Sequence, residues 1–167
     1  MDWVSQVEII GEVALAMLLG GLIGIEREMA DKPAGFRTHM LVAGAAALLV
    51  GLGDALLHRF NIGANEYLRS DPIRIVEAII TGISFLGAGT IFRRERREQV
   101  EGLTTAASIL LCSAIGISVA LRQFVLAAGT TVLDTGTALT FNATSAWATR
   151  PSGVGINPCS LAPNARL

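Results

Sequence analysis

Long apolar runs, broken by short polar or charged stretches, dominate the chain. A helix rises about 1.5 Å per residue, so the roughly 30 Å hydrocarbon layer of a bilayer takes about 20 mainly apolar residues to cross. Four runs meet that length, at residues 7–25, 40–57, 73–92 and 103–121. A fifth, at 124–143, is weaker because it carries Asp134 together with Thr130, Thr131, Thr135, Thr137 and Thr140. The separators read as breaks. Asp31-Lys32-Pro33-Ala34-Gly35 joins Pro and Gly in one turn signal. Asp71-Pro72 supplies an N-cap and a first-turn proline for the third run. Residues 93–101 are the most charged stretch, and Arg122-Gln123 is a tight break. The pattern predicts an all-α polytopic transmembrane bundle of about five spans over residues 1–144. The segment 145–167 is rich in Pro, Gly, Ser, Ala and Asn, lacks a periodic apolar face, and is expected to be a disordered tail.

Composition supports the same class. Of 167 residues, 51% are hydrophobic and 16% charged, against about 25% charged in soluble domains. The 18 glycines suit membrane helices. An aromatic content of 5% is too low for the girdles of an outer-membrane barrel. A net charge of −1 argues against a nucleic-acid partner. The first eight residues hold no Lys or Arg, which a secretory leader needs, so the first run is expected to stay as a span. Orientation follows the basic residues of the short connections. The odd connections carry Arg27, Lys32, Arg37, Arg93, Arg94, Arg96 and Arg97; the even ones carry Arg59, Arg69 and Arg122. The N-terminus is therefore expected outside, with the first and third connections in the cytoplasm.

Ionisable residues within a span are costly, and each is a functional candidate. Glu77 falls on one stripe with Thr81, Ser84 and Ala88, and Arg74 lies one turn before it. That stripe is either a polar seam facing water or another helix, or an interfacial pair. Ala78, Gly82 and Gly89 beside it, and Ala16, Gly20 and Gly24 on the first run, are small residues suited to close helix packing. Thr104, Ser108, Cys112 and Ile115 share a face of the fourth run and are read as packing. Glu8, Glu12 and Asp54 are expected at interfaces, as are His39 and His58. Cys112 and Cys159 are isolated thiols without zinc or disulfide spacing. No catalytic, P-loop or metal-ligand motif is present, so no catalytic residue, metal or cofactor is expected.

The order of motifs adds what single residues do not. Gly20-Gly21-Leu22-Ile23-Gly24-Ile25-Glu26-Arg27-Glu28 precedes Lys32-Pro33-Ala34-Gly35-Phe36-Arg37-Thr38-His39, then Asp71-Pro72-Ile73-Arg74. Thr81-Gly82-Ile83-Ser84-Phe85-Leu86-Gly87-Ala88-Gly89 and Glu101-Gly102-Leu103-Thr104-Thr105-Ala106 follow. Across residues 8–128 this series resembles the MgtC/SapB family. The resemblance implies a bacterial inner-membrane protein of about five helices. Its members are associated with adaptation to low magnesium and, in some pathogens, with survival inside macrophages. They are generally thought to modulate other membrane proteins and not to carry magnesium. The matching functional positions are Glu26, Arg27, Lys32, Gly35, Arg37, Thr38, Asp71, Arg74, Gly82, Phe85, Gly87, Gly89, Gly102, Leu103, Thr104, Thr105 and Ala106, with Glu77 added from its place in a span. Many relatives carry Asn where this chain has Thr104. After about Leu133 the chain is expected to leave the family pattern, as an altered reading frame or a truncation would make it do.

The leading expectation is a regulatory membrane protein, not an enzyme, that binds membrane lipids and partner membrane proteins through the small-residue stripes of the first and third runs. Self-association is left open. The rival is a magnesium or other cation transporter using Glu77, Thr81 and Ser84.

Overall fold

The computed structural model describes residues 3–59, 73–93 and 100–148. Five helices follow one another: α1 (Trp3–Met29), α2 (Phe36–Arg59), α3 (Ile73–Gly89), α4 (Leu103–Ala120) and α5 (Phe124–Ala148). Between α3 and α4, strands β1 (Phe92–Arg93) and β2 (Val100–Glu101) pair antiparallel, Phe92 opposite Glu101 and Arg93 opposite Val100. The architecture is all-α apart from this two-residue ladder. Three helices are long and apolar enough to cross a membrane: Trp3–Met29, Phe36–Leu57 and Leu103–Ala120. The described part of α3 is 17 residues long, a turn short of a span, and the apolar run of the unbroken helix α5 is interrupted by Asp134 and the threonines around it. α5 continues to Ala148, four residues into the segment expected to be a tail; residues 149–167 lie outside the described ones.

Glycines set how closely the helices meet. A Cβ on Gly20 would lie 2.7 Å from both the Ala43 Cβ and the His39 carbonyl oxygen, and one on Gly24 would lie 2.7 Å from the Phe36 Cα. α1 and α2 therefore touch almost backbone to backbone, as close packing in lipid requires. On the other side of α2, a Cβ on Gly116 of α4 would strike the Ala43 carbonyl. The main core fills the space between these helices with Ala16, Ile23, Ala43, Ala47, Ile109, Cys112, Ile115, Val119 and, from α5, Ala127. A smaller core of Ala46, Ile79 and Ile117 seats α3 on α2 and α4. The stripe of α1 is thus consumed inside the chain. The stripe of α3 behaves differently: among the described residues nothing lies within 4 Å of a Cβ on Gly82 or Gly89, whereas Gly87 packs against Ala106.

Turns complete the frame. Asp31 ends α1 with φ 54°, a conformation Asp tolerates, and Lys32 N–H donates back to the Arg27 carbonyl at 3.0 Å. Gly102 precedes α4 at φ 92°, and a side chain there would strike the Thr90 carbonyl, so only glycine fits.

Gly116→Val is expected to force α2 from α4 and cost about 3 kcal/mol, the upper end of overpacking penalties. Gly136→Ala, in open space, is expected to leave stability unchanged or slightly raised. Thermal unfolding in detergent micelles compares the two.

Candidate functional site

The connection from α1 to α2 is held by Glu28, whose Oε2 accepts the Phe36 N–H at 2.9 Å. This carboxylate satisfies one of the unpaired donors that open a helix. Gly35 leaves room for it, since a Cβ there would lie 2.8 Å from Glu28 Oε2. The spacing of Glu28, Gly35 and Phe36 in the motif thus has a geometric cause.

Four residues into α2 lies His39, wholly buried. It was expected at an interface. Gly20 and Gly24 bring α1 so near that the first turn of α2 is sealed between α1 and α4. The His39 Nδ1 lies 2.9 Å from the Gly35 carbonyl oxygen, and Nε2 lies 3.0 Å from Ser108 Oγ on α4. Ser108 Oγ also lies 3.0 Å from the Thr105 carbonyl oxygen. Beside this pair stand Glu26 and Arg27 from the end of α1 and Asp134 from α5, whose charges act on the ring. Arg27 Nη2 is 4.0 Å from Asp134 Oδ1, and their side chains are only 15% and 11% exposed. Arg27 Nε is 3.2 Å from Glu26 Oε2, an ion pair in which neither atom makes a hydrogen bond. Asp134 Oδ2 and Thr105 Oγ1 are also buried without a partner. A polar cluster drawn from four helices therefore lies inside an otherwise apolar bundle.

At the opposite end of the bundle a cleft of about 820 Å³ opens between α1, α2 and the α4–α5 turn, lined by Glu8, Glu12, Asp54 and Arg122 among others. Arg122, at φ 59°, donates from Nη2 to Glu8 Oε2 at 2.8 Å and from Nε to Glu12 Oε1 at 3.1 Å. Its hydrogen bond to Glu8, backed by the charges of Glu8 and Glu12, holds the guanidinium above its ordinary pKa. Such exposed pairs contribute little to stability. Among the described residues no group of three or more His, Cys, Asp or Glu is placed to hold a metal ion.

The remaining sequence candidates scatter. Glu26, Arg27 and Thr105 join the cluster, while Gly35, Gly87, Gly102 and Ala106 shape turns or helix contacts. Lys32, Arg37, Leu103 and Thr104 are exposed, and Thr38 is half-buried. The buried face of α4 is Thr105, Ser108, Cys112 and Ile115, so the expected stripe was right except at its first position. Arg74, Glu77, Thr81, Gly82, Ser84, Phe85 and Gly89 are all exposed on α3. Thr81 donates to its own Glu77 carbonyl at 2.7 Å, and no ion pair joins Arg74 to Glu77 among the described residues. The proposed Glu77–Thr81–Ser84 passage thus faces outward and not into the bundle. Asp71 lies outside the described residues. His39, Ser108 and Asp134 were missed as a group. Their separations along the chain are long, and no local spacing announces that they meet.

Thr105→Val removes a buried hydroxyl that has no partner and is expected to be neutral or to stabilise by up to about 1 kcal/mol, whereas Ser108→Ala should cost about 1 kcal/mol. Chemical or thermal unfolding in micelles distinguishes them.

Residues 13–147 match the model of the MgtC family. Protein MgtC of Salmonella typhimurium is 38% identical over 118 residues, covering 71% of this chain and 46% of that protein. Protein SapB of Bacillus subtilis is 32% identical over 120 residues, covering 71% of this chain and 50% of that protein. YhiD of Escherichia coli, whose name proposes magnesium transport, is 38% identical over 115 residues, covering 66% of this chain and 49% of that protein. The chain spans about half the length of the curated relatives it matches. No solved structure matches it. The family match runs past Leu133 to residue 147, which corrects the expected departure from the pattern there. With that match over most of its length, and three helices able to cross a bilayer, the chain belongs to the MgtC family and is a membrane protein.

Proposed function

We propose that this is a multi-pass protein of the bacterial inner membrane, N-terminus outside, that acts in adaptation to low magnesium, and in pathogens in virulence, by contacting and modulating other membrane proteins. The observation that carries this is the outer face of α3. Glu77, Thr81 and Ser84 lie exposed there beside Gly82 and Gly89, which pack against nothing among the described residues. Polar and small residues on the outside of a membrane helix are poorly matched to lipid tails and well matched to another helix. Phe85, 86% exposed, stands among them as an apolar anchor. The family supports the link to magnesium, and the name given to YhiD points the same way. The protein is not an enzyme in this account. Ser108 and His39 are paired, but both are buried, so no substrate carbonyl can approach.

A second function, carriage of a cation, is favoured by one observation: Glu26 and Asp134 bring carboxylates into the bundle interior. Ion carriers place ionisable groups there.

Photo-crosslinkers at Phe85 in cells starved of magnesium are expected to give adducts with other membrane proteins, lost in Gly82→Leu; crosslinkers at buried Val42 should give none. Proteoliposomes should take up no more magnesium than empty vesicles. Uptake abolished by Asp134→Asn, with no adducts at Phe85, would replace the partner account with the carrier.

A further inference from the structure

The hydrogen bonds around His39 specify more than packing. Its Nδ1 faces the Gly35 carbonyl at 2.9 Å. A carbonyl oxygen only accepts, so Nδ1 carries a hydrogen and donates it. On the other side, Ser108 Oγ lies 3.0 Å from Nε2 and also 3.0 Å from the Thr105 carbonyl. A hydroxyl has one hydrogen to give. If the ring is neutral, Nε2 is bare, Ser108 donates to it, and the contact to the Thr105 carbonyl is not a hydrogen bond. If the ring is an imidazolium, Nε2–H donates to Ser108 Oγ and Ser108 donates to Thr105. All three contacts are then hydrogen bonds at once.

Charge acts on the ring from both sides: burial and Arg27 disfavour an imidazolium, while Asp134 and Glu26 favour it. The groups facing the ring are Glu26 and Arg27 from α1 and Asp134 from α5; α4 contributes Ser108 and the neutral Cys112 thiol near Asp134. The charged residues described on α3, Arg74 and Glu77, are exposed and turned away. The cluster places two carboxyl groups, Glu26 and Asp134, against the single guanidinium of Arg27, and an unbalanced charge in a low-dielectric bundle is unfavourable. An imidazolium cancels it. Imidazole is also the side chain whose unperturbed titration falls nearest neutral pH.

We propose that His39 is a proton-binding site buried at the junction of α1, α2, α4 and α5, its proton balancing Glu26 and Asp134 against Arg27. The proton is taken up on the Nε2 lone pair, and the Ser108 hydrogen swings from Nε2 to the Thr105 carbonyl; no other bond changes. Nδ1 stays bonded to Gly35, so the proton is felt where α2 joins the α1–α2 turn. This stands apart from the outer face of α3, and either can fail without the other.

The sequence contains two histidines, so His58→Gln leaves His39 as the single imidazole. The full chain in lipid nanodiscs, with ¹⁵N-labelled histidine, is followed by NMR from about pH 9 to about pH 4, the range around an unperturbed histidine pKa. The expected signal is an imidazolium with both nitrogens protonated, forming within that range. Asp134→Asn and Glu26→Gln should each lower the midpoint by about one unit, a tenfold loss of proton affinity, and Arg27→Gln should raise it. A ring that stays in the neutral Nδ1–H tautomer throughout, in the chain carrying His58→Gln alone, overturns the proposal even if every charge variant misfolds. A midpoint unmoved by folded charge variants overturns the balance of charge.

Discussion

Everything in the bundle hangs on the near contact of α1 and α2 through Gly20 and Gly24. Lipid gives helices no hydrophobic reason to associate, so shape and backbone proximity must hold them. Two glycines one turn apart let the His39 carbonyl and the Phe36 Cα come where a side chain would otherwise stand. Gly116 repeats the device between α4 and α2. The three helices that result share a core built largely of small residues, with Ile23, Ile109 and Ile115 as its bulkiest members.

That proximity has a chemical consequence. It closes the first turn of α2 against α4, so a histidine near a span end becomes a fully buried one bonded to Ser108. It also draws the end of α1 over the same place, carrying Glu26 and Arg27 inward until Arg27 faces Asp134 on α5. Several donors and acceptors there lack partners. Unsatisfied polar atoms in an apolar interior cost about 1–3 kcal/mol each, so the cluster lowers stability. Such a cost is commonly kept where an ionisable group inside the membrane has work to do.

α3 holds the opposite arrangement. Its apolar face seats Ile79 on Ala46 and Ile117, while its polar and small residues look outward. The two small-residue stripes read in the sequence thus have different fates. The stripe of α1 has been used to assemble the helices, and Gly82 and Gly89 of the α3 stripe meet nothing among the described residues.

By itself the sequence determined the class of the molecule, because hydrophobic run length and scarcity of charge are properties of composition and order. The starts of α3, α4 and α5, the turn at Pro33–Gly35 and the family were legible for the same reason: each is written in contiguous residues. Only the tertiary structure decided which stripe was spent and which was exposed, since Gly20 and Gly82 look alike until a partner helix is placed beside one of them. It also decided that Glu77 faces outward and that Glu26, Arg27, His39, Ser108 and Asp134 converge. Residues 69 positions apart, such as His39 and Ser108, meet through the approach of whole helices, and that approach is set by steric fit across the bundle, which no local periodicity encodes.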